Sequence, residues 1–372
     1  MAVVLGASSV GCGGKQDTAS TPTPDSTETS TPPQPSTSPS GFLEPTPVSV
    51  KCKTGTNVVA TFKGERPLSL AVTSRGVLVA ATLDASGKSH VRLLRDVTKG
   101  FESVGEGDGA NTRVATFGTG IVYSAASSLE LVVPETLGKR EIAFPKALGA
   151  GPHLVALSSE NVFVSGEGGL FAQTLRQSLQ DTPEPVAVCV GDACRGVPSA
   201  LDGRGVSVSA IVGDKLHTGT AKGLSPVASG ARAKIALGTD FTAFSAPNGP
   251  DGSARPFLGM YRPLESDTQL VALAPGKGST CTETEVSLRA MATDGSRLAV
   301  LTQETCGTPR VVLRASRASQ PTSLAEVGSA PLAVDGAVAV AADETCVYLL
   351  PEGKDASGSA EAVLTSYELR AR

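Results

Sequence analysis

Three kinds of residue in this chain could do chemistry, and each is scarce or scattered. Histidines number three in 372 residues, so acid–base and metal-binding hypotheses begin with His90, His153 and His217 alone. Oxygen ligands gather in two Gly-rich loops, GEGDGAN with Glu106 and Asp108, and PNGPDGS with Asp251. Such loops suit Ca²⁺, yet neither has the spacing of an EF-hand, and solvated turns account for both. Cysteine is the third kind: Cys12, Cys52, Cys189, Cys194, Cys281, Cys306 and Cys346. No CxxC pair occurs and the histidines lie elsewhere, so no zinc set forms. GxSxG, HExxH, Walker and GxGxxG arrangements in a strand-turn-helix setting are missing too. No metal, no cofactor and no catalytic constellation is expected, and an enzyme is the lesser reading.

Composition narrows the class. The chain is 40% hydrophobic and only 18% charged, with 41 glycines. Many glycines with few charges suit a turn-rich β protein, because tight turns need residues that tolerate positive φ. Net charge is −4 with no basic stripe, which argues against nucleic acid as a partner. Aromatic residues are 4% and Trp is absent, which argues against stacking platforms for sugars or bases.

The chain opens MAVVLGASSVGC, a small apolar run ending at Cys12. It is too short for a transmembrane helix. The box Ser9, Val10, Gly11, Cys12 resembles the end of a bacterial lipoprotein signal, in which the cysteine becomes the lipid-modified N-terminus of the mature protein. Ser9 departs from the Leu usual there, and no basic segment precedes the run. The true start is therefore expected upstream of Met1. Within the segment from 13 to 50, residues 16–49 are almost wholly Thr, Ser, Pro, Gln, Asp and Glu. It cannot bury enough apolar surface to offset its ordering entropy, so an extended tether is expected there. Together these features imply export and a lipid-anchored location at the bacterial cell envelope, on the outer membrane or cell surface.

The elements that would position any site recur with a period. From residue 57 onward, an alternating apolar run enters a tight turn and a second run leaves it. LSLAVTSRGVLVAATL turns around Gly76, and TRVATFGTGIVYSAAS turns around Gly120. Further turns follow near Asn161, Gly205, Asp240, Ser296 and Ala337. The steps are 44, 41, 44, 35, 56 and 41 residues, so one insertion between the fifth and sixth units explains the uneven pair. PNGPDGSARP and APGKGSTCTETE fall there. A period near 43 with about four short strands per unit is the pattern of propeller blades. Third strands are read at SHVRLLRD, LELVVPE, LFAQTL, RVVLRAS and CVYLLPE, and an outer edge strand at REIAFP. PLAVDGAVAVAADETCVYLL and SALDGRGVSVSA resemble the hairpin of bacterial extracellular β-propeller repeats. That resemblance covers residues 57–372 and implies an all-β fold, a single seven-bladed β-propeller of four-stranded antiparallel blades over 51–372. Six or eight blades, or two packed sandwiches, are the alternatives.

The blade assignment gives the cysteines a pairing scheme. Cys306 and Cys346 both end the triplet Glu-Thr-Cys, read as following the second strand of successive blades. Equivalent positions on neighbouring blades are too far apart for a disulfide, so these two should not pair. Cys281 precedes the blade that holds Cys306, and the loops concerned share a face, so Cys281–Cys306 is the first expected bridge. Cys189–Cys194 spans a short loop, and elimination leaves Cys52–Cys346, which would tie the start of the domain to the last blade. Asp202, Asp294 and Asp335 recur just before the inner hairpin turn; turn chemistry explains them, and a ring of carboxylates at one channel mouth is the sharper reading. The histidines occupy non-equivalent blade positions, so they should not converge.

The resulting expectation is a monomeric, envelope-anchored lipoprotein that presents its propeller as a binding or scaffold module. Its partners would be the membrane, through the lipid, and an envelope protein or glycan. The alternatives are a propeller hydrolase or lyase with carboxylate chemistry, or a structural spacer.

Overall fold

The computed structural model describes residues 52, 57–175, 186–189, 198–248, 255–306, 310–317, 320–330 and 336–368. Cys12 and the segments expected at 1–12 and 13–50 lie outside the described residues, as do Cys194, Asp251 and Asp335.

The chain forms seven four-stranded antiparallel sheets. Strand β1 (Asn57–Lys63) stands apart from the blade that follows it. Blade one is β2 (Glu65–Val72), β3 (Leu78–Asp84), β4 (Ser89–Asp96) and β5 (Gly100–Gly105). Blade two is β6 (Val114–Phe117), β7 (Gly120–Ser124), β8 (Ser128–Val133) and β9 (Gly138–Ala143). Blade three is β10 (Leu154–Leu157), β11 (Asn161–Gly166), β12 (Gly169–Thr174) and β13 (Val186–Cys189). Blade four is β14 (Ala200–Arg204), β15 (Ser207–Val212), β16 (Lys215–Thr220) and β17 (Gly223–Ser229). Blade five is β18 (Arg232–Leu237), β19 (Thr242–Ala246), β20 (Phe257–Arg262) and β21 (Asp267–Ala272). Blade six is β22 (Val286–Thr293), β23 (Leu298–Glu304), β24 (Arg310–Arg317) and β25 (Gln320–Ala330). Blade seven takes β26 (Val338–Ala342), β27 (Cys346–Lys354) and β28 (Ala360–Glu368) from the C-terminal end, and β1 pairs with β28 as its outer strand.

The alternation of side chains explains the ring. Leu78 and Ala80 of β3 pack against blade seven, whereas Val79 and Ala81 pack against blade two. A strand with period-2 alternation thus feeds two cores at once. Seven buried clusters result, one between each pair of neighbouring blades, including one that joins blade seven to blade one. The second strands are apolar on both faces; β11 and β23 are buried throughout. The outer strands are the most open: β9 is mostly exposed and β17 has no buried residue. The REIAFP segment is therefore an edge strand, as expected.

The last blade corrects the sequence reading in one respect. Its inner hairpin turns at Asp343–Thr345, between β26 and β27, not at Ala337. CVYLLPE is consequently the second strand of its blade, not the third, and the third is β28. The Asp-Gly pair at 335–336 imitates the turn signal of the other blades, but β1 fills the fourth place in this sheet. Only three strands are then needed from the C-terminal segment.

This shift also changes the place of Cys346. Cys306 follows the second strand of blade six, whereas Cys346 opens the second strand of blade seven, so the two Glu-Thr-Cys triplets are not equivalent. Two of the three expected pairings nevertheless form among the described residues. Cys281–Cys306 has a Cα separation of 5.3 Å and Cys52–Cys346 one of 5.9 Å, both within disulfide range. Cys189 is disulfide-bonded; Cys194, its expected partner, is beyond the described residues. The two described bridges lie on opposite faces of the ring. Cys281–Cys306 is on the face where blades join, here called the junction face. Cys52–Cys346 is on the face of the inner hairpin turns, the hairpin face.

Cys52–Cys346 spans 294 residues, so its removal frees a long loop in the unfolded chain. The double change Cys52→Ala, Cys346→Ala should lower unfolding free energy by on the order of 4 kcal/mol. Denaturant midpoints with and without the change measure this. A shift below about 0.5 kcal/mol would show that strand pairing alone closes the ring.

Candidate functional site: the axial channel

The first strand of each blade runs from the junction face to the hairpin face and lines a central channel. A cavity of about 640 Å³ occupies its hairpin half, bordered by residues of all seven inner strands. Its wall is mixed: Leu70, Val114, Val155, Leu201, Ala236, Met291 and Val340 contribute apolar surface, one from each blade, and polar groups of the hairpin turns make up the rest. Close approach of these strands needs small residues. A Cβ on Gly203 would lie 2.9 Å from the Leu157 carbonyl oxygen of the preceding blade, so any side chain there would push blades three and four apart.

Among the described residues that border the cavity, Asp202 is the carboxylate carried by an inner strand, whereas Asp294, Asp343 and Glu344 lie on the hairpin turns. Its Oδ1 accepts from the Gly203 N–H and its Oδ2 from the Leu237 N–H of blade five, each at 2.8 Å. It thus brackets two blades. Burial pushes its pKa up to about 6, against the lowering effect of the two N–H groups and of Arg204.

The hairpin mouth is laced by turn-to-turn bonds. The Ser74 N–H donates to the Gly118 carbonyl at 2.8 Å, and the Ser159 and Thr239 N–H groups donate to Gly205 and Gly295, each at 2.7 Å. Arg204 of blade four reaches past blade five to the Asp294 carbonyl of blade six. The sharper reading, a ring of carboxylates at this mouth, is not made by Asp202 and Asp294, and Asp335 lies outside the described residues. Asp294 Oδ1 accepts from the Ser296 and Arg297 N–H groups at 2.7 Å, so it is spent on its own turn. Asp343, which the sequence reading passed over, accepts from the Thr345 and Cys346 N–H groups at 2.8 Å and from the Tyr348 hydroxyl at 2.7 Å. Turn chemistry is the role of both.

At the junction mouth the chemistry is cationic. Arg113 immediately precedes β6, Lys234 lies in β18 and Arg289 in β22. Burial, then the charges of Arg289 and Arg113, hold the Lys234 ammonium below the ordinary lysine range. These three residues carried no sequence signal. Lys234 and Arg289 sit at breaks in strand register, which a hydrophobic pattern does not reveal.

The remaining candidates stay dispersed. His90 sits in β4 with its Nε2 2.9 Å from Asp84 Oδ2. The Asp84 carboxyl is held well below its usual range by the Ser86 hydroxyl, His90 and the Lys88 N–H. His217 lies in β16, its pKa lowered by burial and by Lys215. His153 precedes β10 and packs on the Phe144 ring at 4.5 Å. Glu106 pairs with Lys88 at 2.6 Å, and Asp108 begins a short 3₁₀ turn. Cys281, Glu285 and Cys306 place donor atoms within 4.8 Å of one another, but both sulfurs are consumed by the disulfide, which leaves no thiolate for a metal.

No protein-family model matches the chain, and no curated protein matches it in sequence. Solved structures do match its shape. A crystal structure of oligogalacturonate lyase from Vibrio parahaemolyticus aligns over 87% of this chain and 96% of that one, with a TM-score of 0.57 at 12% identity. A chain of a mitotic checkpoint complex aligns over 84% and 94%, with a TM-score of 0.55 at 11% identity. Likeness at this level shows the fold: the chain is a seven-bladed β-propeller.

Asp202 generates a pH test. Its folded pKa lies above its unfolded value of 3.8, so the folded state keeps a proton that the unfolded state has released. Its contribution is therefore most favourable below pH 3.8, declines as pH rises, and levels off above about 6. The stability of the protein relative to Asp202→Asn should fall across that window by on the order of 2 kcal/mol. Urea titrations at pH 4, 5, 6 and 7 read the difference. A difference that rises with pH would contradict the assignment.

Proposed function

We propose that this chain is a non-enzymatic binding module of the bacterial cell envelope, lipid-anchored at Cys12 and displayed on the segment 13–50. The observation that carries this reading is the place of Cys52. Its bridge to Cys346 fixes the point where the chain leaves the ring on the hairpin face, at blade seven. An anchored ring would then turn its hairpin face towards the membrane and its junction face outward.

The junction face carries a loop prepared for contact. Residues 274–281 are pinned to blade six by buried groups. Arg314 Nη2 donates to the Ala274 carbonyl at 2.7 Å. Glu304 accepts from the Gly276 N–H and, at 2.7 Å, from the Ser279 hydroxyl. Cys281–Cys306 closes the far end. A loop ordered in advance loses less entropy on binding. An envelope protein or glycan is the partner such a face would meet.

A hydrolase or lyase reading has one observation in its favour, the raised pKa of Asp202. Both of its oxygens accept backbone N–H groups, however, which is bracket chemistry between blades.

The orientation is testable in cells that export the protein. A photo-crosslinking residue at Thr280 should capture an envelope component in a Cys12-dependent manner, and one at Glu344 should capture none beyond lipid. Acyl labelling lost in Cys12→Ser checks the anchor. Capture confined to Glu344, or turnover of a glycoside or ester panel abolished by Asp202→Asn, would overturn the proposal.

A further inference from the structure

In each blade the first strand runs to the hairpin face, the second returns, and the third runs to the hairpin face again. The turn between third and fourth strands therefore shares that face with the inner hairpin turn, and the turn between second and third strands lies on the junction face. The two sets of turns differ in kind. On the junction face they carry small and polar residues, such as ASGK at 85–88 in blade one and DASGS at 355–359 in blade seven. Carboxylates brace both. Asp84 Oδ1 accepts from the Ser86 and Lys88 N–H groups at 2.9 and 3.0 Å, and Asp355 Oδ1 from those of Ser357 and Ser359 at 2.8 and 2.9 Å.

The large apolar side chains that stand exposed among the described residues are Val58, Val97, Val133, Val186, Val206 and Leu264. All six are at the hairpin face. Val97 lies between β4 and β5 of blade one, and Val133 ends β8 of blade two. Val186 opens β13 of blade three, and Leu264 lies between β20 and β21 of blade five. Val58 is the second residue of β1, the outer strand of blade seven. Val206 is in the inner hairpin turn of blade four. Leu264 is 91% exposed and the valines are 48% to 67% exposed, so the ring itself covers none of them. Single exposed apolar residues are ordinary on a protein surface. Six confined to one of two faces, one on each of six blades, form a pattern. The matching turn of blade six, residues 318 and 319, lies outside the described residues.

We propose that the hairpin face is a membrane-docking surface whose apolar tips enter the headgroup region of a lipid bilayer. The proposal deepens the lipid-anchored reading above and rests on it. Two features select a bilayer as the occupant. First, the Cys52–Cys346 bridge places the start of the folded domain on this same face, so a chain held at Cys12 brings this face to the lipid. Secondly, the tips are distributed one to a blade. A protein interface excludes water over a continuous packed core, whereas a planar, fluid surface can take each side chain singly. Six partly exposed side chains hold a ring weakly by themselves. Cys12 and Cys52 are 40 residues apart, and an acyl group at Cys12 would present the face to the bilayer at an effective concentration on the order of millimolar. Anchor and face then act as two linked binding elements.

A fluorescent amino acid tests the surface, placed at Lys222 in the hairpin-face turn between β16 and β17 or, in a separate protein, at Ala356 in the junction-face turn of blade seven. Both positions are exposed. The full chain, as exported and acylated, is reconstituted on phosphatidylcholine vesicles whose acyl chains carry a nitroxide quencher. Quenching at Lys222 should exceed that at Ala356 severalfold. The double change Val97→Ser, Leu264→Ser should remove most of the excess and leave the melting temperature as in the parent, because both side chains are exposed. The Cys12→Ser chain should keep the same ranking at lower occupancy. Equal quenching at the two positions in the parent chain, or an excess undiminished by the double change, overturns the docking surface; acyl labelling of Cys12 in that case leaves the anchor standing. The expected ranking in a parent chain that takes no acyl label would support the surface and remove the anchor. Self-association without vesicles that the same double change abolishes would assign the face to a second copy of the chain and overturn the proposal.

Discussion

The pairing of β1 with β28 is the interaction on which the rest of the structure depends. Asn57 lies opposite Ser366 and Lys63 opposite Glu361, so the two ends of the domain complete one sheet. Without β1, blade seven would be a three-stranded sheet with an open edge, a template for pairing with other chains. Phe62 would also leave the cluster between blades seven and one. In a ring, each blade is stable only because both of its faces are covered, and one open junction leaves two blades half covered. The disulfide from Cys52 to Cys346 secures the same junction a second time, at the hairpin face, where β1 begins.

Closure in turn shapes the channel. Seven inner strands must approach one axis, which favours Ala, Val and Gly there, as at Gly203 against Leu157. The two mouths then differ in kind. At the hairpin face the carboxylates of Asp294 and Asp343 are absorbed by their own turns, and Arg204 bridges blades four and six. At the junction face lie Arg113, Lys234 and Arg289, the last two at breaks in the register of their strands.

Much of this architecture was legible in the sequence because it is periodic. Six of the seven inner hairpins lie where the alternation and the turn residues put them. Period-2 burial is a local signal, and it survives in strands packed on both faces. The seventh hairpin was displaced because the Asp-Gly at 335–336 is a good turn signal in the wrong place, and because β1 belongs to a sheet some 300 residues away in sequence. Pairing at that distance leaves no local trace. The described cysteine bridges followed from blade positions even though one position was wrong by a strand, since the pairing partners are fixed by which ends of the ring meet. The channel chemistry was not legible. Arg113, Lys234 and Arg289 look like ordinary surface cations in sequence, and their place at the junction ends of inner strands follows only from the ring.

Hydrogen exchange of the blade-seven amides tests ring closure most directly. Amides of β1 that bond to β28, from Val58 to Lys63, should be protected to the same degree as those of β27 and β28, because the sheet opens only when the ring does. Rapid exchange in β1 beside slow exchange in β26–β28 would show that the ring stands without its N-terminal strand, and would contradict closure by β1.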